Sequence, residues 1–129
     1  MEFKYVGEHH DYLKAGAGTL FFGCGPLIYY QGNFHNDKRE GEGREYSPTP
    51  GPPAPCLESV YVDFSTAGNE WVKYEGSYKD GLKDGAGTLT FTNGETFVGT
   101  WAAGKIHGKG EIHYNCGKVV EGDWVNDVK

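Results

Sequence analysis

Residues 74–96 read YEGSYKDGLKDGAGTLTFTNGET, residues 97–119 read FVGTWAAGKIHGKGEIHYNCGKV, and residues 120–124 begin the pattern again as VEGDW. Tyr74, Phe97 and Val120 open these units at a spacing of 23 residues. A glycine follows each opening residue by two positions (Gly76, Gly99, Gly122) and an aromatic by four (Tyr78, Trp101, Trp124). Gly81 and Gly104, Gly85 and Gly108, Gly87 and Gly110, Leu89 and Ile112, Phe91 and Tyr114, and Gly94 and Gly117 complete the correspondence. A fixed period in this range is the mark of a repeat architecture.

Within a unit the apolar residues alternate with polar ones. Tyr74, Gly76 and Tyr78 interleave with Glu75, Ser77 and Lys79, and Gly87, Leu89 and Phe91 interleave with Ala86, Thr88 and Thr90. A period of two is the strand signature. Asp80-Gly81 and Asp84-Gly85 suit turns that need positive φ, and Asn93-Gly94 is a strong hairpin signal. Each unit therefore predicts a β-hairpin, and successive hairpins predict an all-β antiparallel meander of one layer.

Upstream the pattern weakens. A unit opening at Tyr5 keeps Gly7, Gly16, Gly18, Leu20, Phe22 and Gly25 in phase, but His9 replaces the second aromatic and Tyr12 the first loop glycine. A unit opening at Tyr30 keeps Gly32, Phe34, Gly41 and Gly43, with Asp37 out of pattern and Glu45 where Leu or Ile is expected. SPTPGPPAPC then holds five of the six prolines, and proline is excluded from central strands. This segment reads as a solvated loop, partly polyproline-like. Val60-Tyr61-Val62-Asp63-Phe64 has strand propensity and reads as the return strand of the second hairpin. The chain thus divides into N-terminal hairpins (1–47), a Pro-rich insertion with its return strand (48–73) and C-terminal repeats ending in half a unit (74–129).

These residues resemble the MORN repeat, the membrane occupation and recognition nexus family. The likeness is highly specific over YEGSYKDGLKDGAGTLTFTNG and FVGTWAAGKIHGKGEIHYNCG and weaker over YVGEHHDYLKAGAGTLFFGCG and YQGNFHNDKREGEG. The resemblance implies an elongated, twisted single-layer sheet and a scaffolding or tethering role, often on cytoskeleton, cilium or flagellum, or near membranes. Phosphoinositide binding has been attributed to the family.

Composition narrows the function classes. Twenty-one glycines without a triplet period exclude collagen, and abundant aromatics exclude disorder throughout. A net charge of −6 with scattered basic residues speaks against nucleic acid. It also disfavours anionic lipid, leaving a peripheral phosphoinositide-binding tether as the alternative to a protein-binding scaffold. Cys24, Cys56 and Cys116 have no metal-ligand spacing and read as free thiols of a reducing compartment. The N-terminus lacks a signal-peptide core and no run reaches the ~20 apolar residues of a membrane span. The expected location is therefore cytoplasmic.

Enzyme readings fail on the residues. His9 and His10 face opposite sides of a strand, Cys116 and His113 lack an oxyanion element, and no glycine-rich loop leads into a helix. No catalytic residue, metal ligand or cofactor is expected. The expectation is a partner-binding groove formed by Tyr74, Tyr78, Leu89, Phe91, Phe97, Trp101, Ile112, Tyr114 and Trp124 on one face, with Glu75, Lys79, Thr88, Thr90, Thr100, Glu111 and His113 opposite. Its natural ligand is a helical segment of a cytoskeletal or motor protein. The last strand, from Val120, is expected at a sheet edge, where Asp123, Asp127 and Lys129 blunt it or a second copy pairs with it as a homodimer.

Overall fold

The computed structural model describes residues 3–23, 27–47, 51–52, 57–68 and 70–129. Cys24, Cys56 and most of the Pro-rich stretch lie outside the described residues. Nine strands form one open sheet in strict sequence order: β1 (Phe3–His10), β2 (Leu13–Phe22), β3 (Ile28–His35), β4 (Lys38–Tyr46), β5 (Trp71–Lys79), β6 (Leu82–Phe91), β7 (Thr96–Ala102), β8 (Lys105–His113) and β9 (Val119–Trp124). Every neighbouring pair is antiparallel. The expected meander is what the period-two alternation and the turn residues produce.

The register places one glycine of every strand in a single column. Gly7, Gly18, Gly32, Gly43, Gly76, Gly87, Gly99, Gly110 and Gly122 pair in succession across the sheet. Rings lie flat on this column. A Cβ on Gly43 would sit 2.3 Å from the Tyr30 hydroxyl oxygen, one on Gly87 2.6 Å from the Tyr74 ring, and one on Gly110 2.4 Å from the Phe97 ring. The residues two and thirteen positions after Tyr30, Tyr74 and Phe97 are thus glycine because no side chain fits beneath the ring.

One set of turns repeats with the same geometry. Asp11-Tyr12, Asn36-Asp37, Asp80-Gly81, Ala103-Gly104 and Asn126-Asp127 all have both residues at positive φ. This is the two-residue hairpin turn whose twist matches that of the strands. Tyr12 (φ 67°) and Asp37 (φ 69°) therefore adopt the conformation that glycine adopts in later units, and the N-terminal hairpins are as regular as the C-terminal ones. Asp84-Gly85 is not a turn: Gly85 lies within β6, where the register shifts opposite Ser77. Asn93-Gly94 closes a longer turn in which Phe91 N–H donates to the Glu95 carbonyl and Gly94 N–H to the Phe91 carbonyl.

The insertion differs from expectation. β4 and β5 pair directly, Tyr46 opposite Lys73, and Ser47 N–H donates to the Val72 carbonyl at 2.8 Å. The second hairpin is complete without a return strand, since Glu45 itself pairs with Tyr30. Residues 58–62 instead form a short helix, α1 (Glu58–Val62), followed by a 3-10 turn at Phe64–Thr66. Asp63 caps that turn, accepting from Ser65 N–H at 3.0 Å. The strand propensity of Val60 and Val62 is overridden because β4 already pairs with β3 and β5 on its two sides and the segment has an apolar surface to cover.

After β9 the chain turns at Asn126-Asp127 and runs back against the insertion. Phe64 N–H donates to the Asp127 carbonyl at 2.8 Å, and Lys129 N–H donates to the Val62 carbonyl at 2.7 Å. The Lys129 side chain lies over Gly122 and the Trp124 ring.

A covered trough with one open end

The register carries Tyr5, Tyr30, Tyr74 and Phe97, with the second aromatics Phe34, Tyr78, Trp101 and Trp124, onto one face. Successive rings meet edge to face: Tyr5–Phe34, Phe34–Tyr30, Tyr30–Tyr78, Tyr78–Tyr74, Tyr74–Trp101, Trp101–Phe97 and Phe97–Trp124, at centroid distances of 4.9–5.5 Å and interplanar angles of 75–90°. Each such pair adds about 0.5–1.5 kcal/mol beyond its buried area. The row is a continuous aromatic spine across the sheet. The hydroxyls that end its rings are satisfied: Tyr30 donates to the Asn33 carbonyl, Tyr74 to the Ser77 carbonyl and Tyr78 to the Glu45 carboxylate.

The nine residues expected to form an open groove do lie on this face, but they do not form an open groove. Tyr74, Tyr78, Leu89, Phe91, Phe97, Trp101, Ile112 and Trp124 are 8% exposed or less, and Tyr114 is half-buried. Part of their cover is the spine itself. The rest comes from the insertion, whose Leu57, Val60, Tyr61 and Phe64 are 2–7% exposed. Phe64 packs on Phe91, Phe97 and Trp124, and Tyr61 packs on Phe91 and Tyr114. Polar anchors fix the same segment. Trp124 Nε1 donates to the Tyr61 carbonyl at 2.8 Å, and Tyr61 donates to Glu95 Oε1 at 2.7 Å.

Strand propensity reads residues 60–64 as a return strand, yet the spacing from Leu57 carries a second signal. Leu57, Val60, Tyr61 and Phe64 fall at i, i+3, i+4 and i+7, the spacing of one helix face. Five residues of helix are too few to stand alone, so only docking makes the segment helical. A Phe64→Ala substitution is expected to weaken that docking by about 3 kcal/mol. The amides of Phe64 and Lys129 should then exchange with solvent about 100-fold faster. Amides of β6 and β7 should keep their protection; equal acceleration across the sheet would show that the cover and the sheet unfold as one.

Among the described residues, no ring contact of the insertion reaches the other end of the face. On β1–β3, Phe3, Phe22 and Tyr29 cluster at 4.8–6.0 Å, with Phe3 46% exposed and the other two half-buried. Tyr5 and Leu20 beside them are half-buried. Arg39 closes this patch on its inner side, with its guanidinium 4.8 Å from the Tyr29 ring centroid and ion-paired with Glu45 at 2.9 Å.

Little on this face suits proton transfer. Burial, joined for Tyr78 by the nearby Glu45 carboxylate, holds the Tyr61, Tyr74 and Tyr78 hydroxyls well above the usual tyrosine value, and burial pushes Tyr30 up to about 12. They act as hydrogen-bond donors. On the opposite face His113 contacts Glu111 at 3.1 Å, while Cys116 lies exposed in the turn between β8 and β9. Among the described residues no three His, Cys, Asp or Glu side chains gather in a cluster, and no helix is long and apolar enough to cross a membrane. A family model of the MORN repeat matches residues 30–49, 74–96 and 97–115.

Proposed function

This chain is a MORN-repeat protein, and from that premise we propose that it is a non-catalytic scaffold that binds a helical segment of a partner protein at the uncovered end of its aromatic face. The observation that carries this reading is the Phe3–Phe22–Tyr29 cluster, an apolar patch with Phe3 exposed at one end of a face whose other rings are mostly buried. Such patches mark interfaces more often than they occur by chance. The mode of filling is supported by the chain itself. Its own cover is a short helix laid on the same face through Leu57, Val60, Tyr61 and Phe64. A partner helix presenting apolar residues at that spacing would continue the layer.

A cytoskeletal or motor protein is the partner class that goes with this reading, and the cytoplasm at a cytoskeletal or ciliary structure is its setting. Family membership is what supports both. The competing reading, a phosphoinositide tether, must overcome the charge of −6.

The substitutions Phe3→Asp and Phe22→Asp, made together, separate the two. Expected is loss of the proteins that co-purify with the wild-type chain, no sedimentation of either protein with phosphoinositide vesicles, and an unchanged amide spectrum over β5–β9. An unchanged set of co-purifying proteins would reject the patch as the site. Salt-sensitive sedimentation of the wild type with vesicles would favour the tether.

A further inference from the structure

The units opening at Tyr30 and Tyr74 correspond position for position, and one difference between them leaves two donors without an acceptor among the described residues. In the first, Arg39 pairs across the hairpin with Phe34, and Glu45 pairs with Tyr30 and Tyr74. The Glu45 carboxylate is held by Arg39 at 2.9 Å and by the Tyr78 hydroxyl of the next unit at 2.9 Å. In the second, Lys83 takes the place of Arg39, Leu89 that of Glu45, and Trp101 that of Tyr78. The cation and the donor persist while the carboxylate is gone.

Lys83 rests its ammonium over aromatic rings, 5.4 Å from the Trp71 centroid and 5.2 Å from the Tyr74 centroid. Among the described residues it has no ion-pair partner, whereas Lys14 has Asp37 and Arg39 has Glu45. Trp101 Nε1–H donates to no acceptor among the described residues, and it is not sealed from solvent. Both side chains line a cavity of about 240 Å³ where the cover meets the sheet. Phe64, Trp71, Leu89 and Ile106 give it apolar walls. The one carboxylate in its lining, Asp127, is engaged by Ile106 N–H at 2.8 Å.

We propose that this cavity binds a small organic carboxylate on a compact apolar body, its carboxylate taken by Lys83 and Trp101 as Glu45 is taken by Arg39 and Tyr78 one repeat earlier. Charge-assisted hydrogen bonds are the strong ones, and here they lie beside the Trp71 and Tyr74 rings. Asp127 repels an anion at its own end, so the ligand enters with its carboxylate toward Lys83 and its apolar body against Phe64 and Ile106. The site lies away from the open Phe3–Tyr29 patch and does not depend on the partner assigned to it.

Phenylacetate and its neutral isostere phenylacetamide are suitable probes for the full chain, followed by calorimetry and by amide and indole NMR. Phenylacetate should bind saturably, shift the Trp101 indole N–H resonance, and bind at least about tenfold tighter than the amide. Lys83→Met should weaken binding about tenfold and Trp101→Phe, which keeps a ring in place, about fivefold. Equal affinity for acid and amide would overturn the proposal. So would an unmoved indole resonance at saturation, unchanged affinity in folded Lys83→Met or Trp101→Phe, or no binding at millimolar phenylacetate.

Discussion

Between pH 10 and 12 the unfolding free energy of this chain is expected to fall by up to about 5 kcal/mol for each pH unit. Four buried tyrosines set that slope. Tyr30, Tyr61, Tyr74 and Tyr78 are 3% exposed or less, and burial is the leading cause that holds each hydroxyl above the ordinary tyrosine value. Their hydroxyls all donate, to the Asn33 and Ser77 carbonyls and to the Glu95 and Glu45 carboxylates. Ionisation would set an oxyanion against each acceptor. The sign follows from the proton count. Above pH 10 the unfolded chain gives up these four protons while the native chain keeps them, so the unfolded state binds fewer protons and stability falls as pH rises. The contribution is fully present below pH 10. For Tyr30 the loss levels off near pH 12, where its native hydroxyl also ionises. Net stabilities of about 5–15 kcal/mol cannot survive this slope for long, so the sheet should open before pH 12. Urea titrations at a series of pH values measure the slope. Tyr30→Phe keeps the ring and removes one titrating group, and should reduce the slope by about 1.4 kcal/mol per pH unit. A slope unchanged by that substitution, or stability flat from pH 8 to 11, would remove the buried hydroxyls from the account.

The fold was legible because its determinants are local and repeated. Tyr74, Gly76 and Gly87 announce a ring over a glycine pair, and the same signal recurs at Phe97, Gly99 and Gly110. Where single residues departed, the backbone did not follow. Tyr12 is fully exposed at φ 67°, so its side chain stands clear in solvent while the turn keeps its shape. Glu45 looked like a break in the pattern, yet it stays in the sheet because Arg39 and Tyr78 satisfy its carboxylate. The site was less legible. Alternation assigns Trp101 and Tyr78 to a face, but it does not say what lies above that face. The cover depends on contacts such as Phe64 with Phe97 and Trp124 with the Tyr61 carbonyl, across 33 and 63 residues of chain. A segment so short carries little helical preference of its own, and β-branched Val60 and Val62 point the other way. The exposed Phe3–Phe22–Tyr29 cluster was missed for a related reason. Phe22 occupies the repeat position of Phe91, and contact with Phe64 and Tyr61 of the cover is what separates the buried ring from the half-buried one.

Gly87→Ala is expected to destabilise the chain by about 3 kcal/mol, lowering the thermal midpoint by about 10 °C. The added Cβ would fall 2.6 Å from Tyr74 Cε1 and Oη and 2.8 Å from Cζ. The ring has nowhere to move. It meets Tyr78 at 5.4 Å and Trp101 at 4.9 Å, both edge to face, and its hydroxyl is tied to the Ser77 carbonyl. Shifting Tyr74 therefore disturbs two links of the spine and leaves a buried hydroxyl unpaired. Backbone strain is not the source, because Gly87 is not among the glycines at positive φ. Ala86→Ser, on the exposed opposite face of the same strand, should change stability by less than about 0.5 kcal/mol. The decisive comparison is made in a Tyr74→Leu background. There the ring that the methyl group strikes is gone, and adding Gly87→Ala should cost at most half as much as in the wild type. Full additivity would mean that glycine is required at this position for the backbone and not for the ring. In that case the glycine column and the aromatic spine would be two separate devices, and the 23-residue period would no longer follow from seating one on the other.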